Sequence, residues 1–118
     1  MPADITVRPA DPAEADLVGE LAERVYRDGG FGSGAYAEVL RDGRSRVRDC
    51  IVLVAAADGT ITGTVTLALP GTPLAHLCRA DEAEVRMLAV DETARGLGVA
   101  SLLMAACETW PATRAWPP

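Results

Sequence analysis

The sequence predicts a single α/β (α+β) domain, and three observations support this prediction. Strand and helix periodicities follow one another in the order strand, helix, helix, hairpin, strand, helix. A length of 118 residues is typical of one domain. The composition is globular, with 49% hydrophobic and 24% charged residues, but only 4% aromatic ones. We therefore expect a core built mainly from Ala, Val and Leu.

The first strand and the first helix are both bounded by prolines and glycines. Alternating apolar residues from Ile5 predict a short strand that ends at Pro9. Asp11 is expected to cap a helix that begins at Pro12 and reaches about Arg27. Two glycines then stop this helix, and its buried stripe is predicted to comprise Leu17, Leu21, Ala22 and Val25.

The middle of the chain predicts a short helix, a connector and a hairpin. Tyr36, Val39 and Leu40 have helical spacing, and the charged stretch from 41 to 48 indicates a solvated face or loop. Residues 50–56 and 61–69 flank Asp58-Gly59, which is a strong signal for a two-residue antiparallel hairpin. Threonines occupy one side of the returning strand and apolar residues the other, so we expect that one face can pack on helices. Gly63 indicates a bulge.

The stretch from Glu84 to Glu108 combines a strand, a polar turn, a glycine bend and a helix. The helix is predicted to bury Val99, Leu102, Leu103 and Ala106. The first N–H groups of a helix lack intrahelical partners and lie at the positive end of its dipole, so this bend predicts an anion site. The alternative is a turn whose glycines only relieve steric strain. A dinucleotide-binding fingerprint fits less well, because Ser101 occupies its third glycine position.

The string Arg95-Gly96-Leu97-Gly98-Val99-Ala100 resembles the R/Q-x-x-G-x-G/A signature of the GNAT superfamily of N-acetyltransferases. The preceding Leu88-Ala89-Val90-Asp91 is similar to the end of that family's central fourth strand, although Glu92 stands where proline is common. The resemblance implies a mixed, mainly antiparallel sheet flanked by helices. It also implies acetyl-CoA as cosubstrate and transfer of the acetyl group to a primary amine of a small molecule or peptide.

The resemblance also implies roles for particular residues. Pantetheine would pair with the strand at Leu88, Ala89 and Val90, and the pyrophosphate would lie on the amides of Arg95, Gly96, Leu97, Gly98, Val99 and Ala100. Glu84 stands where several family members carry a catalytic base, the alternative being an exposed carboxylate on an edge strand. Tyr26, Phe31 and Tyr36 are the candidates for the acceptor pocket, the alternative being hydrophobic packing of a small helix.

The end of the sequence departs from the family pattern. Three prolines follow Trp110, which predicts a partial acetyltransferase domain at 1–110 and an irregular tail at 111–118. We expect the chain to lack the C-terminal strands and helix of the family, so that an uncovered sheet edge could pair two copies as a homodimer. The alternative function is a catalytically impaired, truncated fragment that binds only coenzyme A or a partner chain.

Charge and cysteine usage argue against other classes of function. A net charge of -6 disfavours nucleic acid and anionic membranes as partners. The three cysteines form no C-x-x-C pair, so neither a disulfide framework nor a metal site is predicted. The lone His76 receives no catalytic role. No signal peptide or apolar run of about 18 residues is evident, and we expect a cytoplasmic protein.

Overall fold

The computed structural model describes residues 4–30, 34–68 and 84–113. Phe31, His76 and the tail beyond Thr113 lie outside the described residues, so the prediction of an acceptor contact at Phe31 is not addressed.

Four strands form one antiparallel sheet. They are β1 (Ile5–Pro9), β2 (Ile51–Ala57), β3 (Thr60–Ala68) and β4 (Glu84–Val90), and they lie side by side in chain order. The helices are α1 (Ala15–Asp28), α2 (Ala35–Arg41), α3 (Gly43–Asp49) and α4 (Val99–Thr113), and two 3₁₀ turns cover Pro12–Glu14 and Glu92–Ala94. The predicted fold class and hairpin are confirmed, and the predicted element order is confirmed apart from the additional helix α3 before the hairpin. Thr62 is the extra residue of a bulge beside Gly63, since Ala55 pairs with Gly63 and Ala56 with Ile61.

Helices cover both faces of the sheet. On one face, α4 packs against a cluster that includes Leu53, Val65 and Leu103. On the other face, Val18 of α1 packs against Val52 and Val54. Thr64 pairs with Val54 and therefore lies on the α1 side, where its hydroxyl donates to the Leu53 carbonyl at 3.0 Å. The threonine face of β3 is therefore also covered by a helix, because a threonine hydroxyl with a hydrogen-bond partner can be buried.

The predicted buried stripe of α1 is shifted by one residue at its start. Leu17 is 54% exposed and Val18 is buried instead, while Leu21 and Ala22 are buried as predicted and Val25 is half-buried. The shift arises because Asp11 caps a 3₁₀ turn at Pro12–Glu14 and the regular helix begins only at Ala15. A 3₁₀ turn has fewer residues per turn than an α-helix, so it changes which residues face the sheet.

The charged stretch from 41 to 48 is not a solvated loop. Most of it forms α3, which begins at Gly43 and is capped by the Asp42 carboxylate on the Ser45 amide. Arg46 in this helix is only 2% exposed. Helix α3 can approach α1 closely because Gly19 and Gly43 lie at their contact, where a Cβ on Gly19 would stand 2.0 Å from the Arg41 carbonyl oxygen.

Helix α4 begins at Val99 as predicted, but its buried face differs. Leu102 is 43% exposed, whereas Val99, Leu103 and Cys107 are buried, at spacings of four residues. The helix also continues through Pro111 to Thr113, so the expectation that the irregular tail begins at residue 111 is wrong for 111–113. A proline so near a helix end removes few backbone hydrogen bonds. Within the part of the chain that the structure describes, no helix combines the length and apolar character needed to cross a bilayer.

Candidate active site

Strand β4, which is an edge strand among the described strands, contains a bulge midway along its length. Thr64 pairs with Ala89 and Thr66 pairs with Arg86, so Met87 and Leu88 both stand opposite Val65. Met87 has φ 56°, which is uncommon for a residue with a side chain. Bulges interrupt the hydrogen-bond ladder and redirect side chains, often beside functional sites. The sequence contains no signal for this bulge, since no glycine marks it.

The polar turn after β4 is fixed to two other elements. The Asp91 amide donates to the Thr62 carbonyl at 2.7 Å, and the Asp91 carboxylate accepts from the Thr93 amide at 3.0 Å and hydroxyl at 2.8 Å. These hydrogen bonds from Thr93 lower the pKa of Asp91. Arg24 of α1 lies 2.6 Å from the same carboxylate. The turn is thus tied to β3 by a backbone bond and to α1 by an ion pair, which fixes the start of α4.

The backbone amides of the glycine bend are accessible because Gly96 and Gly98 have no side chains. Gly96 and Gly98 have φ 84° and 80°, and no other atom lies within 4 Å of a Cβ built on either residue. The Leu102 amide donates to the Gly98 carbonyl at 3.0 Å. The amides at 99–101 precede this bond and have no carbonyl four residues back within the helix. A surface pocket of about 230 Å³ lies here, lined by Val90, Ala94, Arg95, Gly96, Gly98, Val99, Ala100 and Ser101.

This bend fits a bound phosphate on three counts. Its glycines adopt the left-handed conformation that side chains disfavour, its helix amides are oriented outward from the helix end, and the exposed Arg95 adds positive charge. Five of the six residues predicted to contact the pyrophosphate line this one pocket, and Leu97 is the exception. Two larger surface pockets, of about 540 and 360 Å³, lie against α1, away from the glycine bend. Neither is lined by any of the predicted site residues.

The strand residues proposed for pantetheine lie directly before this bend. Val90 lines the pocket, and Leu88 is half-buried and packs with Val90 in the core under α4. Ala89 is buried and pairs with Thr64, on the opposite face of the sheet. Glu84 is the first residue of β4, and its backbone pairs with Ala68. Glu84 and the glycine bend thus occupy opposite ends of the same strand.

The two tyrosines predicted for the acceptor pocket meet each other. The Tyr26 and Tyr36 rings are 6.1 Å apart between centroids at an interplanar angle of 63°, an edge-to-face arrangement. Both rings pack on the cluster of Ala22, Leu40 and Met87. Burial raises the pKa of Tyr26. The two tyrosines are therefore packed against the bulged strand. This position is compatible with both interpretations of the pair, hydrophobic packing and acceptor binding.

Solved structures with a similar fold come from several microorganisms. A GCN5-related N-acetyltransferase from Ralstonia eutropha JMP134 has a TM-score of 0.70 at 21% identity, covering 94% of this chain and 78% of that chain. A predicted acetyltransferase with acetyl-CoA from Clostridium acetobutylicum has a TM-score of 0.71 at 17% identity, covering 94% and 75%. The PaiA N-acetyltransferase from Thermoplasma acidophilum, in complex with coenzyme A, has a TM-score of 0.71 at 18% identity, covering 93% and 73%.

Sequence comparison gives two results. Comparison with the curated proteins yields no match. The sequence model described as the Acetyltransferase (GNAT) family matches residues 18–115, which include most of α1, the whole hairpin, the bulged strand and the glycine bend. Since this match covers most of the chain, the protein belongs to the GNAT family of acetyltransferases.

Proposed function

We propose that this chain is an acetyl-CoA-dependent N-acetyltransferase that acts on a primary amine of a small molecule or peptide. The observation that carries the proposal is the glycine bend, where Gly96 and Gly98 leave the amides at the start of α4 open at the end of a bulged strand. Family membership supports acetyl transfer in general, and solved relatives of the same fold were obtained with acetyl-CoA or coenzyme A.

In this proposal the backbone around the bend binds the cosubstrate. The amides of Gly96, Gly98, Val99 and Ala100 would hold the pyrophosphate, and the Arg95 side chain would add a cation beside it. The predicted amides of Arg95 and Leu97 are engaged instead, since they donate to the carbonyls of Glu92 and Ala94 at 3.3 Å. Pantetheine would lie along β4 between Leu88 and Val90, since the bulge at Met87 interrupts regular strand pairing there. Acetyl-CoA supplies the activated acetyl thioester, and the chain's own groups bind and orient it.

The transfer needs a deprotonated amine and a stabilised oxyanion. The amine nitrogen attacks the thioester carbonyl carbon, the C–N bond forms, the C–S bond breaks and the sulfur leaves as a thiolate that takes up a proton. We assign the removal of the amine proton to Glu84, directly or through water. The Tyr26–Tyr36 pair would form a wall of the acceptor pocket.

Calorimetry with coenzyme A tests the binding half of this proposal. In Gly98→Val the added side chain projects where the phosphate would lie, and we expect the Kd for coenzyme A to rise at least about tenfold, or about 1.4 kcal/mol. Gly59→Val is the matched control, because Gly59 has φ 78° and nothing within 4 Å of its Cβ position. Both variants carry the same backbone strain, so only loss of affinity confined to Gly98→Val supports the site.

A thiol-release assay with a panel of primary amines tests the catalytic half. We expect release of coenzyme A that depends on an amine and that falls strongly in Glu84→Gln at neutral pH. Full turnover by Glu84→Gln would remove Glu84 from the mechanism. Coenzyme A binding without any amine-dependent turnover would contradict the enzymatic proposal.

A second candidate function is binding without catalysis. Among the described strands, β4 pairs only with β3, and Val85 on β4 is an exposed apolar residue. Such an edge can pair with another chain, including a second copy in a homodimer. Light scattering of the purified chain distinguishes a dimer from a monomer, and coenzyme A affinity in the absence of turnover would identify a silent binder.

A further inference from the structure

The glycine bend before α4 has little packing of its own. Outside the adjoining residues, no atom lies within 4 Å of a Cβ built on Gly96 or Gly98, and Leu97 between them is 53% exposed. The position of the bend therefore depends on the segments that flank it. On one side, Val99 of α4 is buried in the core. On the other side lies the 3₁₀ turn at Glu92–Ala94, which connects the bend to β4.

Backbone hydrogen bonds link this turn to the bend. The Ala94 amide donates to the Asp91 carbonyl at 2.9 Å. The Arg95 amide donates to the Glu92 carbonyl, and the Leu97 amide donates to the Ala94 carbonyl, both at 3.3 Å. Each of these bonds spans only three residues, so a displacement at the start of the turn is passed on to the amides that follow it.

Asp91 is the residue at which this series of bonds meets the rest of the fold. Its amide donates to the Thr62 carbonyl of β3 at 2.7 Å, and its Oδ1 accepts from the amide and hydroxyl of Thr93. Its other carboxylate oxygen, Oδ2, accepts from Arg24 Nη2 at 2.6 Å. Thr93 already orients the carboxylate, so the ion pair with Arg24 costs little additional side-chain entropy on the Asp91 side. Arg24 lies on α1, 67 residues earlier in the chain.

From this arrangement we propose that Arg24 is a positioning residue for the cosubstrate. Its ion pair with Asp91 holds the turn, and the turn holds the amides of Gly96 and Gly98 where a pyrophosphate can meet them. The inference rests on the proposed binding of coenzyme A at the glycine bend. Arg24 does not line the pocket at the bend, so its effect on the cosubstrate is transmitted through Asp91.

Calorimetry with coenzyme A at physiological ionic strength tests this inference. We expect Arg24→Gln to raise the Kd about twofold to fivefold, the range that corresponds to a partly exposed ion pair. Arg24→Lys keeps the cation, and its Kd should lie closer to that of the parent. Arg44→Gln is the matched control, because Arg44 of α3 also pairs with a carboxylate on another helix, Asp16 of α1, but lines a different pocket. Its Kd should equal that of the parent.

A double-mutant cycle separates positioning from long-range attraction. Removal of any cation weakens the attraction of the whole protein for an anionic ligand, and Arg24→Gln shares this effect. Asp91→Asn keeps an oxygen that can accept from Thr93 and removes the carboxylate that pairs with Arg24. If Arg24 acts through Asp91, Arg24→Gln has little further effect on the Kd in the Asp91→Asn background. An effect of equal size in both backgrounds overturns the inference.

Two further measurements distinguish positioning from a purely structural role. In the thiol-release assay, Arg24→Gln should raise the KM for acetyl-CoA and leave kcat within about twofold, because saturating cosubstrate compensates for the weaker binding. Thermal unfolding reports on the fold itself. A lower Tm for Arg24→Gln with an unchanged Kd shows that the ion pair only stabilises the fold, and it overturns the inference.

The outcomes separate this inference from the function beneath it. Coenzyme A binding that is the same in the parent and in Arg24→Gln overturns the inference and leaves the cosubstrate site standing. Binding without amine-dependent turnover contradicts the enzymatic proposal, and calorimetry still decides the role of Arg24. If the parent binds no coenzyme A, the proposed cosubstrate site and the inference fail together.

Discussion

Replacing Gly19 by alanine tests the packing behind the proposed acceptor wall, because Gly19 lies where α1 contacts the junction of α2 and α3. An added Cβ would stand 2.0 Å from the Arg41 carbonyl oxygen and 2.8 Å from its carbon, whereas ordinary contacts begin at 3.4 Å. The obstacle is the main chain of Arg41, which cannot rotate away as a side chain can. Helix α1 and the end of α2 must therefore separate by roughly 1.4 Å along the line from the added Cβ to the carbonyl oxygen. Helix α1 also carries Tyr26, and α2, which contains Arg41, carries Tyr36.

The expected loss of stability follows from two opposing contributions. Overpacking of a tight contact costs about 3 kcal/mol when backbone is the obstacle. Alanine in a helix interior is favoured over glycine by about 1 kcal/mol, which leaves a net destabilisation of about 2 kcal/mol. For a domain of this size that corresponds to a Tm lower by about 8 °C. Helix propensity alone predicts a higher Tm for Gly19→Ala, so a lower Tm indicates that overpacking dominates.

Thermal unfolding followed by circular dichroism measures this shift. Glu20→Ala is the control, since Glu20 is the exposed neighbour on the same helix, and its effect should stay within about 0.5 kcal/mol. Gly43→Ala should lower the Tm in the same way as Gly19→Ala, because its Cβ would stand 2.0 Å from the Ala15 carbonyl oxygen. A Tm for Gly19→Ala equal to or above that of the parent would refute the α1–α3 contact as described.

Three further measurements address other parts of the chain. Gly63→Ala places a Cβ 2.8 Å from Val99 Cγ1, so we expect the start of α4 to be displaced. Calorimetry should then show a Kd for coenzyme A that is raised about threefold to tenfold. An unchanged affinity would contradict this expectation. The hydrogen bond from Arg8 lowers the pKa of Glu14 from 4.5 to about 2, so this pair stabilises the fold above the unfolded-state pKa and loses its effect as pH falls toward 2. The Tm difference between the parent and Glu14→Gln should therefore shrink between pH 5 and pH 2, and a constant difference would exclude the pair as its cause. Burial raises the pKa of Cys107 to about 11, so in native protein at pH 8 its labelling by a disulfide reagent, located by mass spectrometry, should be slow and should accelerate on unfolding. Rapid native labelling would show that the thiol is not buried.

Local chemistry explains which parts of the fold could be predicted. Asp58-Gly59 fixes the hairpin because both residues adopt positive φ, 53° and 78°, in a two-residue turn. The glycine bend is equally local, since Gly96 and Gly98 adopt left-handed conformations that few other residues tolerate. Such signals lie within a few residues of their effect, and they were sufficient to predict the hairpin and the strand, glycine bend and helix that follow it.

Contacts between distant segments explain what could not be predicted from the sequence. Arg46 lies in a charged stretch that predicts a solvated arginine. It is nevertheless buried, because two carbonyls near the C-terminal end of α2 accept hydrogen bonds from its guanidinium. Leu17 and Leu102 fit their helical stripes and are exposed, because the exact start of a helix and the neighbours it meets decide which apolar residues are covered.

The sequence by itself determined the family, the hairpin and the glycine bend before α4, because each depends on residues adjacent in the chain. Only the tertiary structure decided the bulge at Met87, the tyrosine pair packed against it and the arginines beside them. Together these features join residues from α1, α2, α3 and β4 that lie far apart in sequence. Burial and charge at such a junction depend on the whole set of packed neighbours, which no single stretch of sequence contains.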